Sequence, residues 1–171
     1  MHPIAAGEVA LIVLSGGQGT RLGFDGPKGK YDIGLPSGKT MFQLFGERVV
    51  KLQQLASAKN GGAKCTSPWY IMTSPMNHDE TEPFFQEKGF FGLEASQVKF
   101  FPQGTLPCMT PEGKMMLETG CKVGAASDGN GGIYGALRSK GCLADMETRG
   151  IKYIHTYAVD NIFSMRNRHH R

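Results

Sequence analysis

An apolar run, Val9 to Leu14, leads straight into LSGGQGTRLG, Leu14 to Gly23, where four glycines (Gly16, Gly17, Gly19 and Gly23) accompany an arginine. Glycines leave backbone N–H groups uncovered and permit positive φ, so a polyphosphate can lie against the main chain at such a loop. Arg21 and, a few positions on, Lys28 supply the charge this ligand needs. Lys28 follows Pro27, whose fixed φ stiffens the approach and aims the ammonium as a compact point charge. The competing reading is a plain strand-to-helix turn, with Arg21 bridging to Asp25 or Asp32 and Lys28 at the surface. Two commoner phosphate loops are excluded by counting. From Gly17, the dinucleotide pattern G-x-G-x-x-G requires glycine where Leu22 stands, and a Walker A loop ending at Gly38-Lys39-Thr40 requires glycine at Ile33.

Further along, Gln103 stands in a loop after an apolar strand and offers one donor and one acceptor face, enough to read the edge of a uracil ring. Gly129, Gly131 and Gly132 permit close backbone approach, although Asp128-Gly129-Asn130-Gly131 would serve equally as a plain turn. Asp160 ends an otherwise apolar strand, where an unpaired carboxylate is costly unless it meets a cation or donors. Mg²⁺ suits it, because this ion is held by one or two carboxylates together with phosphate oxygens and waters. Asp160 as the cap of the next turn is the alternative. His78 and His155 invite catalytic roles, but packing or a loop hydrogen bond accounts for a lone histidine equally well.

Strands positioning these loops are read at Val9 to Leu14, Trp69 to Thr73, Val98 to Phe101 and Lys152 to Val159, short apolar or β-branched runs bounded by turn residues. The clearest helix runs from Thr40 to Ala58. Thr40 and Gln43 form a T-x-x-Q capping box, Met41, Leu44, Phe45, Val49, Leu52, Leu55 and Ala56 keep helical spacing, and Asn60-Gly61-Gly62 stops it. Glu80 to Lys88, Gly131 to Ser139 and Leu143 to Thr148 are further helical segments. This alternation predicts a three-layer, Rossmann-like α/β fold with a mostly parallel sheet, whose ligands bind outside the carboxyl ends of the strands. The glycine loop, Ser74 to His78, Pro102 to Gly104 and Asp160-Asn161 each follow one strand, so four polar loops share one sheet edge.

The chain has 171 residues, enough for one domain with a sizeable core, and its 24 glycines are too many for a protein of long helices. Its net charge of +4 owes three units to Arg166, Arg168 and Arg171; removing these from the 19 basic residues leaves 16 against 15 acidic ones. A nearly neutral body does not support a basic nucleic-acid-binding face. Cys65, Cys108, Cys121 and Cys142 show no C-x-x-C pair and no histidine at zinc-ligand spacing, and Met1-His2-Pro3 lacks a signal-peptide pattern. Reduced thiols in a cytoplasmic protein are therefore expected. No apolar run approaches the ~20 residues needed to cross a bilayer, so no membrane partner is expected.

The string LSGGQGTRLG with the following Pro27-Lys28-Gly29 resembles the signature of the UDP-sugar pyrophosphorylases, above all the UDP-N-acetylglucosamine pyrophosphorylases. The resemblance continues through KYDIGLPSGKTMFQLF, MTSPMNHDET, FPQGTLPC, SDGNGGIYGAL and YIHTYAVDN, in order, and covers nearly all of Gly7 to Ile162. It implies a uridylyltransferase that joins UTP and N-acetylglucosamine-1-phosphate, releasing pyrophosphate. By resemblance, Leu14, Ser15, Gly16, Gly17, Gln103, Gly129 and Asn130 bind the nucleotide, with Gln103 and the backbone around Gly129 on the uridine and Asn130 near the sugar. Arg21 and Lys28 act in catalysis, and Asp160 holds Mg²⁺ or Mn²⁺. Ser127 departs from the family, which tends to have proline before DGNGG. Family members are also much longer, and FSMRNRHHR after Ile162 leaves their pattern. The expected organisation is thus a partial catalytic domain over 1–162 and a basic, disordered tail over 163–171. Its alternative function is an inactive, truncated UTP-binding fragment.

Overall fold

The computed structural model describes residues 2–163; the expectation for the basic tail falls almost entirely outside them. Four parallel strands, β1 (Val9–Leu14), β2 (Trp69–Thr73), β3 (Val98–Pro102) and β4 (Tyr153–Ala158), form the main sheet in the order β3-β2-β1-β4. Strands of a parallel sheet covered on both faces are apolar throughout rather than alternating. β2 shows this fully, since all of Trp69, Tyr70, Ile71, Met72 and Thr73 are buried. Successive side chains of β1 still divide between the faces: Leu11 and Val13 enter one core, Ala10 and Ile12 the other.

The first core lies under helices α1 (Met41–Lys59) and α2 (His78–Glu87), through Phe42, Phe45, Val49 and Phe85. Phe85 packs its ring against those of Phe42, Trp69, Phe91 and Phe100. Each such side chain taken out of water contributes about 1.5–3 kcal/mol before entropy is counted. The second core lies under α3 (Ile133–Ser139) and α4 (Cys142–Thr148), through Ile133, Leu137, Cys142 and Met146. Helices on both faces make the three layers expected from the sequence.

Observed boundaries follow the expected ones closely. The Thr40 hydroxyl accepts from the Gln43 N–H at 3.3 Å, but the Gln43 carboxamide turns to Glu47 rather than back to Thr40, so only half of the capping box forms. The segment between β3 and α3 differs more. It holds two small antiparallel ribbons, Thr105–Pro107 with Ala125–Ser127 and Leu117–Thr119 with Lys122–Val123. These strands are two or three residues long and largely exposed, so burial never imposed on their sequence the pattern by which strands are read.

Strand order places the functional edge. From β1 the chain moves outward to β2 and β3 beneath α1 and α2, then returns under α3 and α4 to place β4 on the other flank of β1. The direction of winding reverses between β1 and β4, and a crevice opens beyond their carboxyl ends, the usual ligand position in such sheets.

Candidate functional site

The crevice contains a cavity of about 410 Å³, within the size range of small-molecule sites. Leu14, Gly16 and Gly17 line it from the end of β1, Lys28 from the turn that follows, and Gln103 from beyond β3. Gly129, Asn130 and Asp160 line it as well. Residues spread over nearly the whole chain thus meet in one place, eight of them named from the sequence.

The glycine loop is held from beneath. Ser15 is fully buried; both its N–H and its hydroxyl donate to the Met72 carbonyl, at 2.9 and 2.8 Å. Its side chain therefore faces β2 rather than ligand. The N–H of Lys28 donates to the Gly17 carbonyl at 3.1 Å, and that of Gly19 to Gly26 at 2.8 Å, tying the Pro27-Lys28-Gly29 turn to the loop. The N–H groups of Gly16, Gly17 and Gln18 take no part in these internal bonds. Three amides unengaged among the described residues, beside a lysine, are the groups from which an anion-binding concavity can be built.

Space explains two of the glycines. A Cβ on Gly16 would stand 2.9 Å from Gln103 Nε2, so the carboxamide of Gln103, itself only 6% exposed, lies directly against the loop. A Cβ on Gly29 would run into the Phe42 ring. Gly29 thus lets the turn carrying Lys28 seat on the start of α1, and Lys28 gains a fixed origin.

From there the Lys28 ammonium reaches Asp160, Nζ to Oδ2 at 2.9 Å. The hydrogen bond from Lys28 is the main reason the Asp160 carboxyl sits below its ordinary range, with partial burial pulling the other way. The cation and donor that a carboxylate at this strand end needs is thus Lys28. Asp160 is paired, though its side chain remains 59% exposed and open to a cation. Among the described residues there is no cluster of three or more His, Cys, Asp or Glu side chains able to hold a metal by themselves. A lone exposed carboxylate fits only an ion that completes its shell with other oxygens, as Mg²⁺ or Mn²⁺ does with ligand oxygens and waters.

Arg21 is not brought into the cavity. It lies exposed on the short 3₁₀ turn Thr20–Leu22 beside the loop, paired with neither Asp25 nor Asp32 among the described residues. His78 shares a 2.9 Å hydrogen bond with Thr73, and His155 stacks on Tyr157 on β4; neither lines the cavity. Six lining residues were not named as site residues from the sequence: Gln18, Met72, Met76, Ser127, Ala158 and Val159. Met72 and Ala158 lie at or near the ends of parallel strands flanking β1 and were findable from that rule. Met76 carried no chemical signal.

The family model for UTP–glucose-1-phosphate uridylyltransferase matches residues 4–169. UDP-N-acetylglucosamine diphosphorylase 2 of Arabidopsis thaliana is 52% identical over 166 residues, covering 95% of this chain and 33% of its own. UDP-N-acetylglucosamine pyrophosphorylase of Saccharomyces cerevisiae is 45% identical over 165 residues, covering 96% and 34%. Among solved structures, the uridine diphosphate N-acetylglucosamine pyrophosphorylase of Trypanosoma brucei, in complex with an inhibitor, superimposes with a TM-score of 0.88 at 34% identity, over 95% of this chain and 34% of that one. The chain spans about a third of the length of the curated relatives it matches.

Proposed function

The chain belongs to the UTP–glucose-1-phosphate uridylyltransferase family, and we propose on that premise that its cavity binds UTP for transfer of the uridylyl group to a sugar-1-phosphate. The names of its relatives favour N-acetylglucosamine-1-phosphate as acceptor. The observation carrying this reading is the meeting, in one cavity, of a glycine loop with unengaged N–H groups, the Lys28–Asp160 pair and the Gln103 carboxamide.

In this reading Gln103 and the backbone at Gly129 receive the uracil edge, Asn130 lies toward the sugar, and the loop amides with Lys28 take the triphosphate. Lys28 exchanges its bond to Asp160 for one to a phosphate oxygen. Asp160 is thereby released as the protein ligand for Mg²⁺ or Mn²⁺, which when bound would neutralise phosphate charge and hold the reacting groups in line. An oxygen of the sugar phosphate forms a bond to the α-phosphorus of UTP, the bond from that phosphorus to the bridging oxygen breaks, and pyrophosphate departs with the electron pair. No covalent enzyme intermediate is required, so positioning and charge stabilisation supply the catalysis. Exposed Arg21 is the proposed donor to the departing pyrophosphate.

A second reading, UTP binding without turnover by these 171 residues, rests on the chain spanning about a third of its relatives' length. Titration of the purified chain with UTP and Mg²⁺, beside an assay of pyrophosphate release with N-acetylglucosamine-1-phosphate, tests both. Saturable UTP binding with CTP much weaker is expected; equal binding of UTP, CTP and inorganic triphosphate would remove the uridine assignment. No helix among the described residues is long and apolar enough to cross a membrane. The four cysteines, all free, suit a reducing compartment such as the cytoplasm.

A further inference from the structure

We propose that Asn77 is the positioning residue of the glycine loop, its carboxamide turning the loop's peptide groups so that their N–H groups face the cavity. The inference deepens the nucleotide-binding reading above and rests on it for the identity of the ligand. Asn77 is fully buried at the end of the loop between β2 and α2. Its Nδ2 donates to the carbonyls of Ser15, at 3.0 Å, and Gly17, at 3.4 Å, while its Oδ1 accepts from the Ser74 N–H at 2.8 Å.

The direction of those two donations is what matters. In a planar trans peptide the C=O and the following N–H point opposite ways. Drawing the Ser15 carbonyl inward turns the Gly16 N–H outward; drawing the Gly17 carbonyl inward does the same for Gln18. Gly16 and Gln18 both line the cavity, and their N–H groups are among those left free of internal bonds. One buried side chain thus orients the Gly16 amide and shares the orienting of the Gln18 amide with the Lys28 N–H, which also donates to the Gly17 carbonyl, at 3.1 Å. A second tie joins the same two loops in the reverse direction, from Gln18 Nε2 to the Met76 carbonyl at 3.4 Å.

Asn77 also forgoes an ordinary role. It occupies the N-cap position of α2, where an asparagine oxygen usually accepts from the first turn, yet its side chain makes no capping bond. The carboxamide is committed to the loop instead. No shorter or apolar side chain could reproduce the arrangement, because the site needs two donors and one acceptor from one planar group.

Asn77→Asp keeps the shape and the acceptor for Ser74 but sets oxygen against two carbonyls. Wild type, Asn77→Asp and Asn77→Ala would be compared in the 171-residue chain by UTP titration with Mg²⁺, by thermal unfolding, and by NMR order parameters of the Gly16 and Gln18 amides without nucleotide. The expected result is a folded Asn77→Asp protein with UTP affinity reduced about tenfold or more and both amides moving from rigid, about 0.85, to below about 0.6. A folded variant with lowered Tm but wild-type affinity and order parameters would overturn the proposal, leaving Asn77 a core residue only. Should neither variant fold, the wild type decides: rigid Gly16 and Gln18 amides without nucleotide support it, and mobile ones overturn it. If the wild type does not bind UTP, the nucleotide reading fails, while the order parameters still judge Asn77.

Discussion

Lys28 and Asp160, 132 positions apart in sequence, are joined Nζ to Oδ2 at 2.9 Å across the mouth of the cavity. One follows the glycine loop and the other follows the edge strand β4, so the pair closes the crevice between β1 and β4 at the point where the winding of the sheet reverses. It holds each charge against the other. Its geometry sets the first three predictions.

Lys28→Ala should lower UTP affinity by a factor of about 10 to 100, the size of a lost charge-assisted contact of about 1.5–3 kcal/mol. Isothermal titration at fixed salt measures it, and an unchanged Kd would remove Lys28 from the phosphate site.

Asp160→Asn keeps the shape and removes the charge. Mg²⁺ should strengthen UTP binding in the wild type and do so far less in this variant. Equal enhancement in both proteins, read from paired titrations with and without the metal, would show that the ion is held elsewhere.

The depressed carboxyl of Asp160 has a stability signature with a definite sign. Because its folded pKa lies below the unfolded one, the stabilisation is present above the ordinary Asp value of about 3.9 and is lost as pH falls through the folded value. With the carboxylate largely exposed, the gain should lie within the 0–1 kcal/mol of surface pairs. The Tm difference between wild type and Asp160→Asn should be flat at neutral pH and disappear in acid; a difference that grows below about pH 4 contradicts the assignment.

Gly16→Ala tests the contact with Gln103. The added methyl would stand 2.9 Å from Gln103 Nε2, so this flexible side chain must move although the backbone there needs no left-handed conformation. Stability should change by less than about 1 kcal/mol, while preference for UTP over CTP should fall. Retained preference would show that Gln103 does not read the base.

The purified 171-residue chain should bind UTP with little or no pyrophosphate release, because the acceptor oxygen must be placed within about 3–3.5 Å of the α-phosphorus and its relatives are about three times as long. Turnover near the enzyme median of ~10 s⁻¹ would instead establish these residues as a sufficient catalyst.

Sequence by itself determined the parts whose chemistry is local. Val9 to Leu14 followed by four glycines could be read as strand and closely approached loop, because burial on both faces demands an unbroken apolar run and close backbone approach demands glycine. The helix from Thr40 onward was legible for the same reason: its cap and its spacing lie within a few residues of each other. What only the tertiary structure decided involves partners far apart in the chain. That the Ser15 hydroxyl turns to Met72, that Gln103 lies on Gly16, that Arg21 stays outside the cavity and that Asp160 meets Lys28 all depend on strand order, which is set by how helices cover two faces of one sheet. Asn77 is the sharpest case. In sequence it is one residue of the polar loop Ser74 to His78, and only the parallel pairing of β1 with β2 brings the Ser15 and Gly17 carbonyls within reach of its carboxamide.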